Sequence, residues 1–312
     1  MPLWNITNEE VYSMNYYNEI KQELINNEVY KRVKDYSKNR NDLNTYYNVG
    51  KLIVEAQGGE SRSGYGNKLI KEYSKKLIQE LGRGYSQTNL KHMRQFYIYV
   101  KKGHPVGDQL TWSHYKYLIP IKDDNIINYY INQVIKYNLS KRELADKIKS
   151  KEYERLDNET KEKLIKKEDS QIMDLTKNPI LVRNNHNYKE ISEKILKQLI
   201  LEDIEHFLKE LGEGFCYIDN EYKIKIGDRY NYIDLLLFNY KFNCFVVAEL
   251  KVTELRKEHI GQIEVYMNYI DKHIKSINQD KTIGIIICKK DNKFVMEYCS
   301  DERIYKTTYQ LV

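Results

Sequence analysis

Two hydrophobic periods divide the chain. In the first half apolar residues recur at helical spacing. Residues 44–55 place Tyr47, Leu52 and Ile53 on one side of a helix. Across 67–81, Leu69, Ile70, Tyr73, Leu77, Ile78 and Leu81 form a stripe, with Lys68, Lys71, Lys75 and Lys76 largely off it. Gly82 and Gly84 stop that helix, and Ser86 is placed to cap the next, which runs through Leu90, Met93, Phe96 and Tyr97. A helix, a glycine-bearing turn and a second basic helix is the layout of a helix-turn-helix. Shorter helices are expected at 112–119, 125–136 and 141–149. Lysine and glutamate then alternate from about residue 150, with an Asn178-Pro179 break, which reads as a solvated helical linker or a domain edge.

The second half changes period. Residues 191–211 read as one long helix with Ile195, Leu199, Phe207 and Leu211 inward, ended by Gly212 and Gly214. Strand-like runs follow at 215–218, 222–226, 232–238 and 245–252, then a helix at 257–272. The run TIGIIIC at 282–288 has the continuous apolar character of a strand covered on both faces. A last strand is expected at 294–299. The fold class is therefore α+β: an all-helical domain at 1–175 with a helix-turn-helix-like segment, then a mixed α/β domain at 176–312 around a central sheet.

Composition supports two soluble domains. The chain has 312 residues, 41% of them hydrophobic and 31% charged, against roughly 100–200 residues per domain. No apolar run approaches the ~20 residues of a membrane helix, and MPLWNITNEE has neither the basic start nor the apolar stretch of a signal peptide. A cytoplasmic protein is expected. The four cysteines (Cys216, Cys244, Cys288, Cys299) form no C-x-x-C pair, and the histidines form no metal-binding spacing, which argues against a zinc enzyme. The net charge of +6 is concentrated: residues 62–102 hold ten basic residues against Glu72 and Glu80. Arg83, Lys91, Arg94, Lys101 and Lys102, beside the helix-turn-helix pattern, are the candidate phosphate contacts; a merely solvated face is the alternative. The glycine-rich GGESRSGYG at 58–66 lacks the Gly-Lys-Ser/Thr ending of a phosphate loop and reads as a turn.

The strongest chemical signal is NYIDLLLFNYKFNCFVVAELKV at 231–252, two apolar strands joined by a turn centred between Lys241 and Phe242. That centre sets Tyr240 opposite Asn243 and, further along, Asp234 opposite Glu249, with Lys251 projecting beside Glu249. Two carboxylates ~5 Å apart repel by roughly 3 kcal/mol at an effective dielectric near 20. Their apolar neighbours raise that cost. A hard divalent cation relieves it, because Mg²⁺ needs only one or two carboxylates plus waters and substrate phosphate. With the ion polarising a phosphate and Lys251 steering the attacking water, this is a phosphodiesterase site. The bland alternative is an internal salt bridge from Lys251 to Asp234 or Glu249.

At these residues the chain resembles the YhcG-like nucleases of the PD-(D/E)XK superfamily. The likeness rests on YYNVGKLIVE (46–55), YGNKLIKEYSKKLIQELGRGYSQTNLKHMRQFY (65–97), LTWSHYKYLI (110–119) and KREL (141–144) in the first half. In the second it rests on FLKELGEGF (207–215), YIDLLLFN (232–239), AELK (248–251), GQIEVYMNY (261–269) and TIGIIIC (282–288). It implies a helical DNA-binding domain fused to a restriction-endonuclease-like domain. It also implies that Gln262, in the G-Q motif, lies near the site, with Tyr266 one turn on, where core packing is the alternative. In one respect the chain departs from the pattern. Lys197 stands where relatives carry a glutamate on the first helix of the nuclease domain; Glu193, one turn earlier, is the candidate substitute, ahead of Glu190 and Glu202. Trp112, His114 and Tyr115 match the family but read as packing.

The expected activity is metal-dependent DNA endonuclease, with Asp234 and Glu249 as metal ligands and Lys251, Gln262 and Glu193 completing the site. Mg²⁺ is the expected ion, with Mn²⁺ able to replace it. The alternatives are a nuclease for RNA or branched DNA, and a DNA-binding protein whose nuclease fold no longer cuts. Cutting both strands of a duplex would call for a homodimer, and the resemblance suggests genome defence or DNA processing.

Overall fold

The computed structural model describes residues 16–27, 38–59, 63–103 and 109–312, without the side chains of 38, 39 and 63–67. The N-terminal stretch read for a leader, and residues 60–62 of the glycine-rich segment, lie outside them. The described residues form two compact units, one ending at Ser150 and one spanning Lys151–Val312.

The first unit is helical. Its helices are residues 16–27 (α1), Lys38–Ala56 (α2), Ser63–Leu81 (α3), Gln87–Lys101 (α4), Trp112–Leu118 (α5), Asp124–Tyr137 (α6) and Lys141–Lys149 (α7), with a 3₁₀ turn at Arg83–Tyr85. Helix starts are fixed by side chains that satisfy otherwise unpaired N–H groups. The Ser86 hydroxyl accepts from Asn89 N at 3.3 Å. Ser140 and Glu143 form a reciprocal capping box. The α3 stripe buries Leu69, Ile70, Tyr73 and Leu77, whereas Ile78, which its spacing also placed inward, is exposed. On α4 the inward residues are Leu90, Met93, Phe96 and Tyr99; Tyr97 is half-buried and stacks on Tyr47 with ring centroids 5.2 Å apart. α4 packs more closely on α2 than on α3. Gly50 explains the approach: a Cβ there would lie 2.1 Å from the Met93 carbonyl oxygen and 2.9 Å from Tyr97 Cβ.

The second unit is a six-stranded mixed sheet between helices. Its strands are Ile180–Val182 (β1), Phe215–Ile226 (β2), Arg229–Asn239 (β3), Cys244–Glu254 (β4), Asp280–Lys290 (β5) and Ile304–Leu311 (β6), in the order β1-β6-β5-β4-β3-β2. The β2–β3–β4 meander is antiparallel, and β4, β5, β6 and β1 run parallel. Alternation along β4 assigns the faces. Val246, Ala248 and Leu250 pack with Leu196, Leu199, Phe207 and Leu211 of helices Glu193–Glu202 (α9) and Ile204–Leu211 (α10). Val247 packs on the other face with Ile263, Met267 and Ile270 of helix Lys257–His273 (α11). At Gly284 on β5 a Cβ would lie 2.6 Å from Met267 Sδ, so α11 settles directly on the sheet.

Four sequence expectations change. The single helix at 191–211 is two, broken at Asp203, whose carboxylate caps α10 at His206 N and holds Arg183 at 2.7 Å. Aspartate competes for backbone N–H groups and favours helix starts over interiors. The runs 215–218 and 222–226 are one strand with an irregularity between Tyr217 and Asp219. The last strand is β6, not 294–299, where the chain instead forms the helix Lys293–Glu297 (α12) with Phe294 and Tyr298 exposed. The segment after Ser150 is no solvated linker. It carries the helix Asn158–Lys166 (α8), and Arg155, Thr160, Asp174, Thr176 and Lys177 are buried within the second unit. Arg155 Nη2 donates to Glu210 Oε1 at 3.1 Å, and Thr160 Oγ1 to the Asp174 carbonyl at 2.6 Å.

Candidate active site

The register inferred from the turn holds in the sheet: Asn239 pairs with Cys244, Leu237 with Val246, and Leu235 with Ala248. The next step along the ladder brings Asp234 to Glu249, and there side chains replace strand hydrogen bonds. Asp234 N donates to Glu249 Oε1 at 3.4 Å, and Leu250 N donates to Asp234 Oδ2 at 3.0 Å. Lys251 Nζ meets Glu249 Oε2 at 3.2 Å. Glu249 is 1% exposed and Lys251 8%, whereas the Asp234 side chain keeps 17%. The charged groups converge, with their solvent-facing member on β3.

Electrostatics follow from that crowding. Burial, then the neighbouring Asp234 carboxylate, pushes the Glu249 carboxyl up to about 7, with Lys251 pulling the other way. Burial works against the Lys251 ammonium, yet the carboxylates of Glu249, Glu193 and Asp234 together hold its pKa above the ordinary lysine value. Lys251 therefore stays charged near neutrality.

The remaining candidates fall at different places. Glu193, exposed on the first turn of α9, acts on Lys251 through its charge. Glu190 lines a cavity with Lys289 and Tyr309. Glu202 is engaged by His186 and Gln198, each at 2.9 Å. Gln262 Nε2 donates to the Tyr266 hydroxyl at 3.1 Å. Tyr266 is 6% exposed; burial raises its phenol above the usual value, and the charges of Glu249, Lys251 and Asp234 all reach it. In the first unit Arg83, Lys91, Lys101 and Lys102 are exposed, whereas Arg94 is half-buried with its Nε on Gln57 Oε1 at 2.6 Å. His114 is buried and closes a capping box with Thr111, as packing requires.

Three participants were not foreseen in these roles. Lys197, noted only as a departure from the family pattern, bridges Asp234 Oδ1 at 3.1 Å and Glu221 Oε1 at 3.0 Å. Glu221 itself was missed. The same register argument finds it: β2 and β3 turn at Gly227-Asp228, which puts Glu221 opposite Asp234, between the pairs Asn220–Leu235 and Tyr222–Ile233. His259, in the first turn of α11, is lowered by burial and then by the Lys251 charge, which places it beside the same cluster.

The donor set suits a hard divalent cation. Two carboxylates approach each other in a partly desolvated place, and among the described residues no group of three His, Cys, Asp or Glu side chains is positioned to hold a metal ion. A soft-metal cage is therefore a poorer fit than an ion that keeps waters and accepts phosphate oxygens. Among the described residues no helix is long and apolar enough to cross a membrane.

Comparison with known proteins agrees with this architecture. The YhcG PDDEXK nuclease domain matches residues 173–312, and the DUF1016 N-terminal domain matches 19–155. The Escherichia coli (strain K12) protein named "Putative nuclease YhcG" is 26% identical over 283 residues, covering 78% of this chain and 76% of that protein. Among solved structures, a repair endonuclease from Pyrococcus abyssi is 21% identical over 39% of this chain and 48% of its own, with a TM-score of 0.29. A complex of EndoMS with double-stranded DNA is 20% identical over 39% and 47%, with a TM-score of 0.30. This chain thus spans about half the length of those two structures. The chain thus carries a YhcG PDDEXK nuclease domain at residues 173–312, preceded by a DUF1016 N-terminal domain at 19–155.

Proposed function

We propose that the second unit is a divalent-metal-dependent endonuclease that hydrolyses phosphodiester bonds in DNA, and that the first unit holds the substrate through phosphate contacts. The observation that carries the reading is Glu249: a carboxylate 1% exposed, set against Asp234, with an ammonium 3.2 Å away. Buried charge is costly unless compensated. Asp234 and Glu249 would hold Mg²⁺, or Mn²⁺ in its place, and the bound ion would polarise the phosphodiester and acidify a water. Lys251 stays protonated, so it serves as a hydrogen-bond donor: it orients the attacking water and offsets charge growing on the phosphate oxygens. Gln262, tied to Tyr266, is placed to position that water, and Glu193 to balance Lys251. In the first unit, Arg83, Lys91, Lys101 and Lys102 would contact phosphate, with Arg94 partly committed to Gln57.

The test is cleavage of DNA by the purified protein with Mg²⁺ or Mn²⁺, with chelator, and by Asp234→Ala and Lys251→Ala. Cutting that needs metal and disappears in both variants supports the reading. Undiminished cutting by a folded Asp234→Ala protein rejects it. RNA and branched DNA run in parallel separate the substrate classes, and a homodimer is expected where both strands of a duplex are cut.

A second reading draws on Lys197. Its ammonium already occupies Asp234 Oδ1, as it would in a nucleic-acid-binding protein whose nuclease fold no longer cuts. That reading predicts DNA binding without cleavage at any metal concentration.

A further inference from the structure

Beside the carboxylates, the β2–β3 hairpin carries a surface the catalytic reading does not use. Its two faces differ sharply. On one, Ile224 and Ile233 are 1% and 0% exposed and pack in the core with α11. On the other, Lys223 pairs directly with Tyr232, and Lys225 with Tyr230, so these four side chains share a face. Tyr230 is 56% exposed and Tyr232 53%. Lys223 Nζ lies 3.9 Å from the centroid of the Tyr230 ring and Lys225 Nζ 6.0 Å from it, cation–π contacts that leave the ring more than half exposed. Arg229, next to the turn, is exposed as well. Of the acids here, Glu221 is taken up by Lys197, which leaves Asp228 against three cations. Among the described residues β2 is the edge strand of the sheet, so the hairpin lies at its margin.

The geometry points to this face as a platform for an unpaired nucleic-acid strand flanking the scissile phosphate, with Tyr230 and Tyr232 stacking on bases and Lys223 and Lys225 meeting phosphates. This rests on the nuclease reading and adds the form of the substrate. Tyrosine faces interleaved with lysines are the chemistry of single-strand binding, because every base has a stacking face and every nucleotide a phosphate. A duplex hides its base faces and offers such rings nothing to stack on. Position supports the same occupant. Tyr232 lies two residues before Asp234 on β3, about 6.6–6.8 Å along the strand, and Lys223 lies two residues beyond Glu221, which faces Asp234. A strand with its phosphate at Asp234 and Glu249 would have only that short span to cross to the platform. The favoured substrate is one with a single-stranded segment meeting the cut site, such as a flap or a splayed junction.

The experiment measures affinity by fluorescence anisotropy for single-stranded, fully duplex and splayed-junction oligonucleotides, as DNA and as RNA. Asp234→Ala serves as background to stop cutting, and cleavage is measured separately in the otherwise unaltered chain. Tyr230→Ala with Tyr232→Ala is expected to weaken binding of the single strand and the junction by roughly 30-fold or more, with little change for duplex. The Tyr→Phe pair should retain binding. Lys223→Gln with Lys225→Gln should flatten the slope of log K against log salt by about 1.4, at ~0.7 for each phosphate no longer neutralised. Unchanged affinity and slope, in a protein that still cuts with Mg²⁺, overturns the platform and leaves the nuclease reading standing. If the unaltered protein neither binds nor cuts any nucleic acid, the nuclease reading falls and the platform with it. If the tyrosine variants change only the oligomeric state in sedimentation, the face pairs copies of this chain, and the proposal is likewise overturned.

Discussion

Two of the places where the second unit buries charge are built differently. Around Arg155 and Glu210 every group has its partner. The guanidinium forks onto both carboxylate oxygens and also reaches the Pro179 carbonyl at 2.8 Å, while Leu181 N donates to Glu210 at 2.9 Å. This is a closed network that ties the segment after Ser150 to α10. Around Asp234 and Glu249 two carboxylates face each other, and Glu249 has only Lys251 and a long 3.4 Å contact from the Asp234 backbone. Its carboxyl is driven up to about 7, by burial first and Asp234 second. Asp234 is met by Lys197 at 3.1 Å, and on the proposed function an outside cation would relieve the remaining strain between the two carboxylates.

Substitutions can break that contrast in order of expected size. Asp234→Ala or Lys251→Ala should lower the cleavage rate by about 10²–10⁴-fold or more, in the range of a lost proton-handling group, with DNA affinity nearly unchanged. Comparable loss from Arg155→Ala at a temperature where it remains folded would erase the distinction. Arg155→Ala should instead act on stability, costing about 3–5 kcal/mol by stranding Glu210, read by urea unfolding. The double change Arg155→Met with Glu210→Met should recover much of it.

Glu249→Gln sharpens the comparison by moving the other way. A carboxyl raised from 4.5 to about 7 keeps its proton in the folded chain over a range where the unfolded chain has lost it. The folded state is thus stabilised at acid pH, and that advantage disappears as pH rises from 4.5 to 7. Glutamine cannot ionise, so the variant should be more stable than the native chain at pH 8 by about 1–3 kcal/mol, and about equal to it at pH 4. Denaturant unfolding at the two pH values measures this. No difference at pH 8 would mean that Glu249 is fully compensated, like Glu210. The smallest effect is expected from Lys197→Gln. Removing one partly exposed ammonium from Asp234 should tighten Mn²⁺ binding by about fivefold, on the order of 1 kcal/mol.

The sequence made the site legible because one turn sets one register. Once Lys241-Phe242 is the turn, the pairing of Asp234 with Glu249 follows from counting, and the apolar runs on both sides guarantee that the strands form. The same counting from Gly227-Asp228 would have found Glu221. What stayed hidden lacked apolar contrast. β6 reads IYKTTYQL, with Thr307 buried at 2% in a strand paired on both edges, so hydrophobic alternation barely registers. The segment after Ser150 buries arginine, threonine, aspartate and lysine through hydrogen bonds that composition alone presents as solvated. Lys197 was visible as a departure from a family pattern, but its reach to Asp234 depends on how α9 lies over the sheet, which no local period encodes.

The proposed function has Asp234 and Glu249 together hold a divalent ion. Calorimetric titration of Mn²⁺ into the native chain, Asp234→Ala and Glu249→Gln tests this most directly. Saturable binding by the native chain that either substitution abolishes is the expected result. Equal binding by all three, or no binding by the native chain at millimolar metal, contradicts it and returns the pair to an internal salt-bridge cluster.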